Sequence, residues 1–195
     1  MDFEEIQEQN SEDDNTLSEE EKFSLKKSIY SIVLSGVLAV AIFLLVTVFY
    51  KPTLTHGHSM EPTLSDGDRA IAAVWNYKPV NGDVIVIKDI HKVNKYLVKR
   101  IIGVAGDTID IDFSSGDVLR NGELLVEPYI FEKTTTAGDV EFPVTVPEGY
   151  VFVMGDNRNQ STDSRTSYTG MISEKNIEGK VIYRFYPTEK MGKIE

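Results

Sequence analysis

The chain has 195 residues, of which 41% are hydrophobic and 26% are charged, and its formal net charge is −11. This composition is typical of a folded protein, and the acidic balance excludes the basic surface that a nucleic-acid partner requires. Because the chain has no cysteine, disulfides, thiol catalysis and thiolate metal sites are also excluded.

The first 28 residues form an acidic segment with ten Asp or Glu and three lysines. Few of them are apolar, which predicts a solvated tail. Residues 29–50 follow without a charge, and at about 1.5 Å per residue they would extend roughly 33 Å, enough to cross a membrane. A buried helix would show a polar stripe, and a cleaved signal peptide would have a shorter apolar region nearer the N-terminus. We therefore expect a transmembrane helix.

The lysines around this apolar run predict its orientation. Three lysines closely precede the run and one, Lys51, follows it. Lys and Arg are enriched on the cytoplasmic side of membrane helices. We therefore expect a single-pass protein of the cell membrane, with a cytoplasmic tail (1–28), a transmembrane helix (29–50) and an extracytoplasmic catalytic domain (51–195). Pro52 is expected to end the helix, since proline cannot continue it.

Beyond residue 51 the chain has the pattern of β-structure. Short runs of β-branched and aromatic residues alternate with breakers, and no helical period lasts four turns. Asn121-Gly122 is the strongest hairpin signal, between 118–120 and 123–125. The predicted fold is mainly β, with antiparallel sheets that form a partly open barrel. The other predicted strands are 69–75, 83–90, 96–102, 108–113, 150–154 and 180–186, and residues 133–147 are predicted to form an exposed excursion.

Ser59, nine residues after Tyr50, is the candidate nucleophile, because a serine so close to a membrane acts on substrates at that surface. A serine hydroxyl needs a neighbouring base to take its proton. His58 is its immediate neighbour, and adjacent side chains point apart in an extended chain. His56 has no obvious carboxylate to orient it, and His91 lies in a polar loop. We therefore expect all three histidines to be surface residues.

Lys99 is the better candidate for the base. Burial disfavours a charged amine and lowers its pKa from the ordinary value of about 10.4. In a strand, Lys99 shares a face with Leu97 and Ile101, while Arg100 shares the other with Val98. One of the two cations must then face apolar neighbours, and lysine tolerates neutralisation where arginine does not. Periodicity alone is equally compatible with a charge pair that protects an edge strand.

The segment 155–165 combines glycine, arginine, aspartate and serine in eleven residues. Such a composition is common in solvated turns, but its charges suggest an ion-paired loop. Asp163 and Arg165 would share a side in an extended chain. Ser161 could orient a lysine amine, as the third member of a triad orients a histidine.

These segments together resemble the bacterial type I signal (leader) peptidases, and the short chain with one anchor is similar to the Gram-positive branch. The resemblance covers about residues 25–190 and implies a membrane-bound Ser-Lys endopeptidase that removes signal peptides from exported preproteins, without a cofactor. The matching motifs are Ser59-Met60-Glu61-Pro62-Thr63-Leu64, Gly67-Asp68-Arg69, Lys99-Arg100-Ile101-Ile102-Gly103 with Gly106-Asp107, and Gly155-Asp156-Asn157-Arg158 with Ser161, Asp163, Ser164 and Arg165.

The resemblance also implies a role for each site residue. Ser59 would be the nucleophile, Lys99 the general base and Ser161 the group that orients the Lys99 amine. Asp163 and Arg165 would form a supporting ion pair. The remaining implied residues are Arg100 as a structural contributor beside the base, and Met60, Leu64 and Val98 as the lining of shallow pockets for the small residues at positions −1 and −3 of the substrate.

Two positions depart from the family pattern. The oxyanion hole uses the backbone N–H of Ser59, and some members add a hydroxyl two residues earlier, where this chain has Gly57. Loss of one such donor costs about 3–4 kcal/mol, so a compensating donor is expected. Ala105 stands where proline is common before Gly-Asp, which changes the rigidity of the loop more than its chemistry.

The expected partners are secretory preproteins, membrane lipid near Leu54, and the translocation machinery. No metal site is expected, because the acid pairs 66/68 and 110/112 lack further ligands. Asn159-Gln160-Ser161 is a glycosylation acceptor pattern inside the proposed site, which argues against exposure to a glycosylating lumen. A self-cleaving Ser-Lys regulator of the repressor type is a first alternative, but a membrane anchor does not suit it. A non-catalytic assembly partner is a second, but it would be expected to lack Ser59 or Lys99, and both are present. A processor dedicated to one class of surface protein, such as pilins, remains open.

Overall fold

A computed structural model describes residues 18–88 and 96–195. The chain divides into two compact units, Met1–Val46 and Thr47–Glu195. In the described part of the first unit the chain forms one helix, α1, which spans Glu19–Phe49. An 18-residue window of α1 has a mean hydropathy of 2.9 and none of the helix residues is buried, so α1 is long and apolar enough to cross a membrane.

The start of α1 is a capping box. The hydroxyl of Ser18 accepts a hydrogen bond from the Glu21 amide at 3.3 Å, and the Glu21 carboxylate accepts one from the Ser18 amide at 2.9 Å. These bonds satisfy amides that the first turn leaves without partners. Because the helix begins at Glu19, the last ten residues of the predicted acidic tail are its first turns. The helix ends at Phe49, three residues before Pro52.

The second unit is built of β-strands. Twelve strands lie within the described residues, and every pairing between them is antiparallel. They are β1 Tyr50–Leu54, β2 Arg69–Ala73, β3 Val84–Ile87, β4 Leu97–Gly103, β5 Thr108–Asp112, β6 Asp117–Arg120, β7 Glu123–Leu124, β8 Val144–Thr145, β9 Tyr150–Met154, β10 Ile172–Ser173, β11 Ile177–Tyr186 and β12 Gly192–Lys193.

The larger sheet has the order β1-β2-β11-β3-β4-β9-β10, with β12 also paired to β11. The smaller sheet has the order β7-β6-β5-β8. The large sheet bends at bulges in β11 and β4, and its end strands β1 and β10 do not pair with each other. The prediction of a mainly β, antiparallel, partly open barrel preceded by one N-terminal helix is therefore confirmed.

Three apolar clusters hold the strands together. The first joins the serine-bearing turn to β2, β3, β4 and β11, and the second fills the space between β4, β9 and the small sheet. The third covers the other side of β3, β4, β9 and β10. Strand β4 contributes to all three clusters, so its central residues are enclosed from both sides.

Several predicted strands agree with the structure, and others differ. Strand β9 matches its predicted bounds, and Asn121 and Gly122 both have positive φ between β6 and β7, as a tight hairpin requires. Residues 133–147 are not a simple exposed excursion, because Thr134 and Val146 are buried and β8 pairs with β5. The last two residues of the predicted strand 83–90 lie outside the described part of the chain.

Candidate active site

Ser59 lies on the connection between β1 and β2. Two backbone hydrogen bonds join the two ends of this connection: the Thr55 amide donates to the Asp68 carbonyl at 2.9 Å, and the Gly67 amide donates to the Thr55 carbonyl at 3.0 Å. The Asp68 carboxylate accepts bonds from the Ser65 amide and from Arg184, both at 3.0 Å. This network fixes the turn that presents the serine.

Lys99 occupies the middle of β4 and is only 4% exposed. Its Nζ donates a hydrogen bond to the hydroxyl of Ser59 at 2.6 Å. Burial lowers the pKa of Lys99 to about 8, while the carboxylates of Asp163 and Asp156 raise it and Arg165 lowers it. At pH 7 a group with that pKa is neutral in about a tenth of the molecules, against fewer than about one in a thousand at the ordinary value. A neutral Lys99 amine can accept the hydroxyl proton.

Arg100, the next residue, is also buried, so both cations of this strand are enclosed. Its guanidinium binds both carboxylate oxygens of Asp156 at 2.8 Å and lies 3.9 Å from the centre of the Tyr129 ring. A bidentate pair compensates the desolvation of arginine. Because arginines already bind Asp156 and Asp163, both carboxylates stabilise a proton on Lys99 less than free ones would.

The predicted pair of Asp163 and Arg165 is present. Two hydrogen bonds of 2.8 and 2.9 Å join the two side chains, both of which are buried. Asp163 also accepts a hydrogen bond from the Gly155 amide at 3.0 Å, and Arg165 donates to the Thr136 carbonyl at 2.9 Å. The pair therefore holds together the two ends of the loop that faces the dyad.

Ser161 lies in the same loop, but its role as the group that orients Lys99 stays a prediction. Its hydroxyl oxygen is buried and has no hydrogen-bond partner among the described residues. It lies against Gly155, where an added Cβ would overlap both the Ser161 hydroxyl and the Ser59 carbonyl oxygen. The loop and the serine turn therefore approach each other closely at this glycine.

Two of the three histidines can be placed, and both are exposed, as expected. The Nδ1 atom of His58 lies 2.9 Å from the Glu61 carboxylate, which raises the pKa of His58. His56 is exposed nearby. His91 lies outside the described residues. The structure thus brings Ser59 together with a lysine and gives it no bond to His56 or His58.

The candidate oxyanion donors differ in availability. The Ser59 amide donates to no other described residue, so it is free to bind a carbonyl oxygen. The Gly57 amide donates to the Asp66 carboxylate at 2.7 Å, and the φ of Gly57 is +80°. Asn157 donates from its amide to the Ser59 carbonyl and from its side chain to the His58 carbonyl, both at 3.1 Å. A compensating donor for the missing hydroxyl stays a prediction.

The three residues expected to line substrate pockets belong to one apolar cluster. Met60 and Leu64 are completely buried, and Val98 is 8% exposed. Their packing secures the serine turn to β4, on which Lys99 lies. Contact with a substrate stays a prediction, and Val98 has the most surface available for it.

Two further residues support the site and were not identified from the sequence. The Glu127 carboxylate binds both terminal nitrogens of the buried Arg158, whose Nε donates to the Gly155 carbonyl at 3.0 Å. The Tyr129 hydroxyl donates to Glu127 at 3.1 Å, while its ring covers Arg100. Glu127 and Tyr129 thus contact two buried arginines, Arg158 and Arg100. Because both residues are far from Arg158 along the chain, no local sequence pattern indicates that they contact the site.

Within residues 18–88 and 96–195, no group of three or more His, Asp or Glu residues is arranged to hold a metal ion. The acid pairs at 66/68 and 110/112 serve turns and strand ends: Asp66 and Asp68 accept the backbone bonds described above, and Asp110 accepts one from the Ile111 amide.

Comparison with known proteins gives matches to signal peptidases. The family described as signal peptidase, peptidase S26, matches residues 26–186. Signal peptidase I of Bacillus licheniformis is 36% identical over 92% of this chain and 100% of its own, and signal peptidase I U of Bacillus subtilis is 40% identical over 85% and 92%. A crystal structure of a signal peptidase I from Enterococcus faecalis is 30% identical, covers 53% of this chain and 97% of its own, and has a TM-score of 0.45.

The match extends from the apolar helix through the last long strand, and the relatives cover most of the chain at more than 30% identity. It includes the buried lysine on β4 and the serine that it contacts. The chain therefore belongs to the signal peptidase family, peptidase S26.

Proposed function

We propose that this chain is a membrane-anchored serine endopeptidase that removes signal peptides from preproteins, with Ser59 as nucleophile and Lys99 as general base. The observation that carries the proposal is the 2.6 Å contact between the Ser59 hydroxyl and the buried Lys99 amine. A serine requires an adjacent base, and a lysine becomes one only when its pKa is lowered. Both conditions are met in one pair of residues.

The reaction begins with the neutral Lys99 amine, which takes the hydroxyl proton while Ser59 Oγ attacks the scissile carbonyl carbon. The free amide of Ser59 stabilises the negative oxygen of the tetrahedral intermediate. Lys99 then donates the proton to the nitrogen of the leaving chain, and the mature protein departs with a new amino terminus. The signal peptide remains as an ester on Ser59.

Water completes the cycle. Lys99, neutral again, takes a proton from a water molecule that attacks the ester carbonyl carbon. Collapse of the second tetrahedral intermediate returns the proton to Ser59 Oγ and releases the signal peptide as a carboxylic acid. We assign Ser161 to the orientation of the Lys99 amine and the pair of Asp163 and Arg165 to the support of that loop.

The location of this activity is part of the proposal. Residues 1–28 would be cytoplasmic, 29–50 would cross the membrane and 51–195 would be extracytoplasmic, since lysines are more frequent before the apolar run. Leu54, an exposed residue of β1, would contact membrane lipid. The translocation machinery would deliver the substrate to the outer face, close to Ser59.

The test is cleavage of a preprotein panel by the full-length chain in detergent or lipid, with N-terminal sequencing of the products. We expect cuts after small residues at −1 and −3, and loss of cleavage in both Ser59→Ala and Lys99→Ala. His58→Ala, an exposed neighbour of the nucleophile, is the matched control and should retain activity. Full activity in either dyad variant would contradict the proposal, and the panel distinguishes general from dedicated processing.

A further inference from the structure

A cavity of about 330 Å³ adjoins the catalytic loop on the side of Ser161. It is lined by two segments, residues 136–138 and residues 159–162, which we call its walls, together with Arg165 and Thr166. Its lining consists of hydroxyl, amide and backbone groups. The lining has no carboxylate, and its one cation, Arg165, is paired with Asp163. The cavity is therefore nearly neutral.

The two walls are held together by specific bonds. The side-chain oxygen of Asn159 accepts hydrogen bonds from the amides of Thr135 and Thr136 at 3.0 and 2.9 Å, and its nitrogen donates to the Lys133 carbonyl at 3.0 Å. Gly138 lies so close to the Arg165 carbonyl that an added Cβ would overlap it. These contacts fix the separation of the walls, so the cavity is a preformed feature of the loop.

Backbone groups along the cavity are free to bind a second chain. No other described residue makes a hydrogen bond to the backbone of Ala137 or Thr162, and both residues are exposed. Free amide and carbonyl groups of this kind bind an extended peptide by strand-like pairing. Such pairing depends on the main chain of the peptide and little on its side chains. A site for many different substrate sequences needs this property.

The chemistry of the dyad indicates which part of a substrate would reach the cavity. The base must deliver its proton to the leaving nitrogen, so the first residue after the cut lies on the side of the base. The apolar residues expected to bind the small side chains before the cut belong to the buried cluster around Met60, which shares no residue with the lining of the cavity. The cavity next to Ser161 thus remains for the residues after the cut.

We propose that this cavity is a subsite for the first residues of the mature chain, bound in an extended form through the backbone of Ala137 and Thr162. The inference rests on the proposed function. The ligand class is an uncharged or weakly polar extended polypeptide, recognised mainly through its main chain.

The test compares two synthetic substrates that share the same signal-peptide sequence. The short one ends in an amide after position +1, and the long one continues to position +5. For the wild-type chain we expect kcat/KM to be about tenfold higher for the long substrate, the effect of two or so additional hydrogen bonds. In Ala137→Trp, which fills the cavity, that ratio should fall to about one, whereas Thr188→Trp, an exposed site that is not part of the lining, should keep it.

A second measurement does not depend on the activity of a variant. The full-length Ser59→Ala chain is incubated with the long substrate carrying a photoreactive residue at position +3, and the crosslinked residues are mapped by mass spectrometry. Crosslinks within residues 136–138 or 159–162 support the subsite. Crosslinks confined to other segments would overturn the subsite, and so would a wild-type kcat/KM that is the same for the long and the short substrate. In either case, cleavage of both substrates would still support the proposed function. Failure of the wild type to cleave either substrate would instead contradict the proposed function.

Discussion

Two hydrogen bonds, of 2.6 and 3.0 Å, join the guanidinium of Arg158 to the carboxylate of Glu127, and neither side chain is more than 6% exposed. Arg158 also donates to the Gly155 carbonyl, and its own carbonyl accepts a bond from Arg165. An ion pair that is distant from the dyad along the chain thus joins the segment around Glu127 to the catalytic loop.

Removal of this carboxylate should destabilise the protein. Glu127→Ala leaves a buried guanidinium without its partner, and the expected loss in the free energy of unfolding is about 3–5 kcal/mol. Chemical denaturation of the purified chain measures it. The exposed pair of Asp117 and Lys133 provides the control, because solvent screens it, and Asp117→Ala should cost much less. Equal losses in the two variants would contradict a structural role for the buried pair.

The activity should depend on the protonation of Lys99. Below its pKa of about 8 the amine holds its proton and cannot accept another, so kcat/KM should rise tenfold per pH unit up to that point and level off above it. A pH–rate profile on a signal-peptide substrate measures this. A rate that continues to rise to pH 10 would show that the base is not a buried amine.

The lowered pKa of Lys99 should also make the free energy of unfolding depend on pH. The folded protein holds the Lys99 proton less tightly than the unfolded chain, whose pKa is the ordinary 10.5, so stability rises with pH between about 8 and 10.5. Lys99→Met removes this titration, and it should stabilise the protein by about 3 kcal/mol at pH 7 and by little at pH 10.5. Denaturation curves across this range measure the difference, with the exposed Lys190→Met as reference. A stabilisation that does not change with pH would exclude the linkage.

Gly155 should be sensitive to the smallest substitution. In Gly155→Ala the new methyl group would overlap the Ser59 carbonyl and the Ser161 hydroxyl, so the loop and the serine turn must separate. Displacement of a catalytic group by about 1 Å can cost about 100-fold in rate, and we expect a loss of that order in kcat. Gly192→Ala, where the added atom meets open space, is the control. Unchanged kcat in Gly155→Ala would mean that the close approach is not needed.

The sequence was most informative where structure is decided locally. The Asn121-Gly122 hairpin follows from two residues that adopt positive φ readily, and β9 from a short run of β-branched and aromatic side chains bounded by breakers. The pair of Asp163 and Arg165 is also local, although the two residues lie in a turn, which a hydrogen bond from the Thr166 amide to the Asp163 carbonyl closes, and not in the extended chain that the sequence predicted.

Long-range pairing explains what could not be predicted. Arg100 is buried because Asp156 binds it, and no periodicity within β4 indicates that partner. Strand β1 contains Pro52, which is unfavourable in a sheet interior, and it is tolerated because β1 is an end strand that pairs only with β2. In each case a contact from another part of the chain decides the outcome.

The bonds of Asn159 have a consequence for the production of this protein. Its amide group makes three hydrogen bonds to the segment 133–136, and the chain there also carries the acceptor pattern for N-linked sugar. A eukaryotic secretory host attaches sugar to such asparagines while the chain is still unfolded, before these bonds can form. The modified chain would lose the bonds between the two walls of the cavity, so a bacterial host is the appropriate choice for expression.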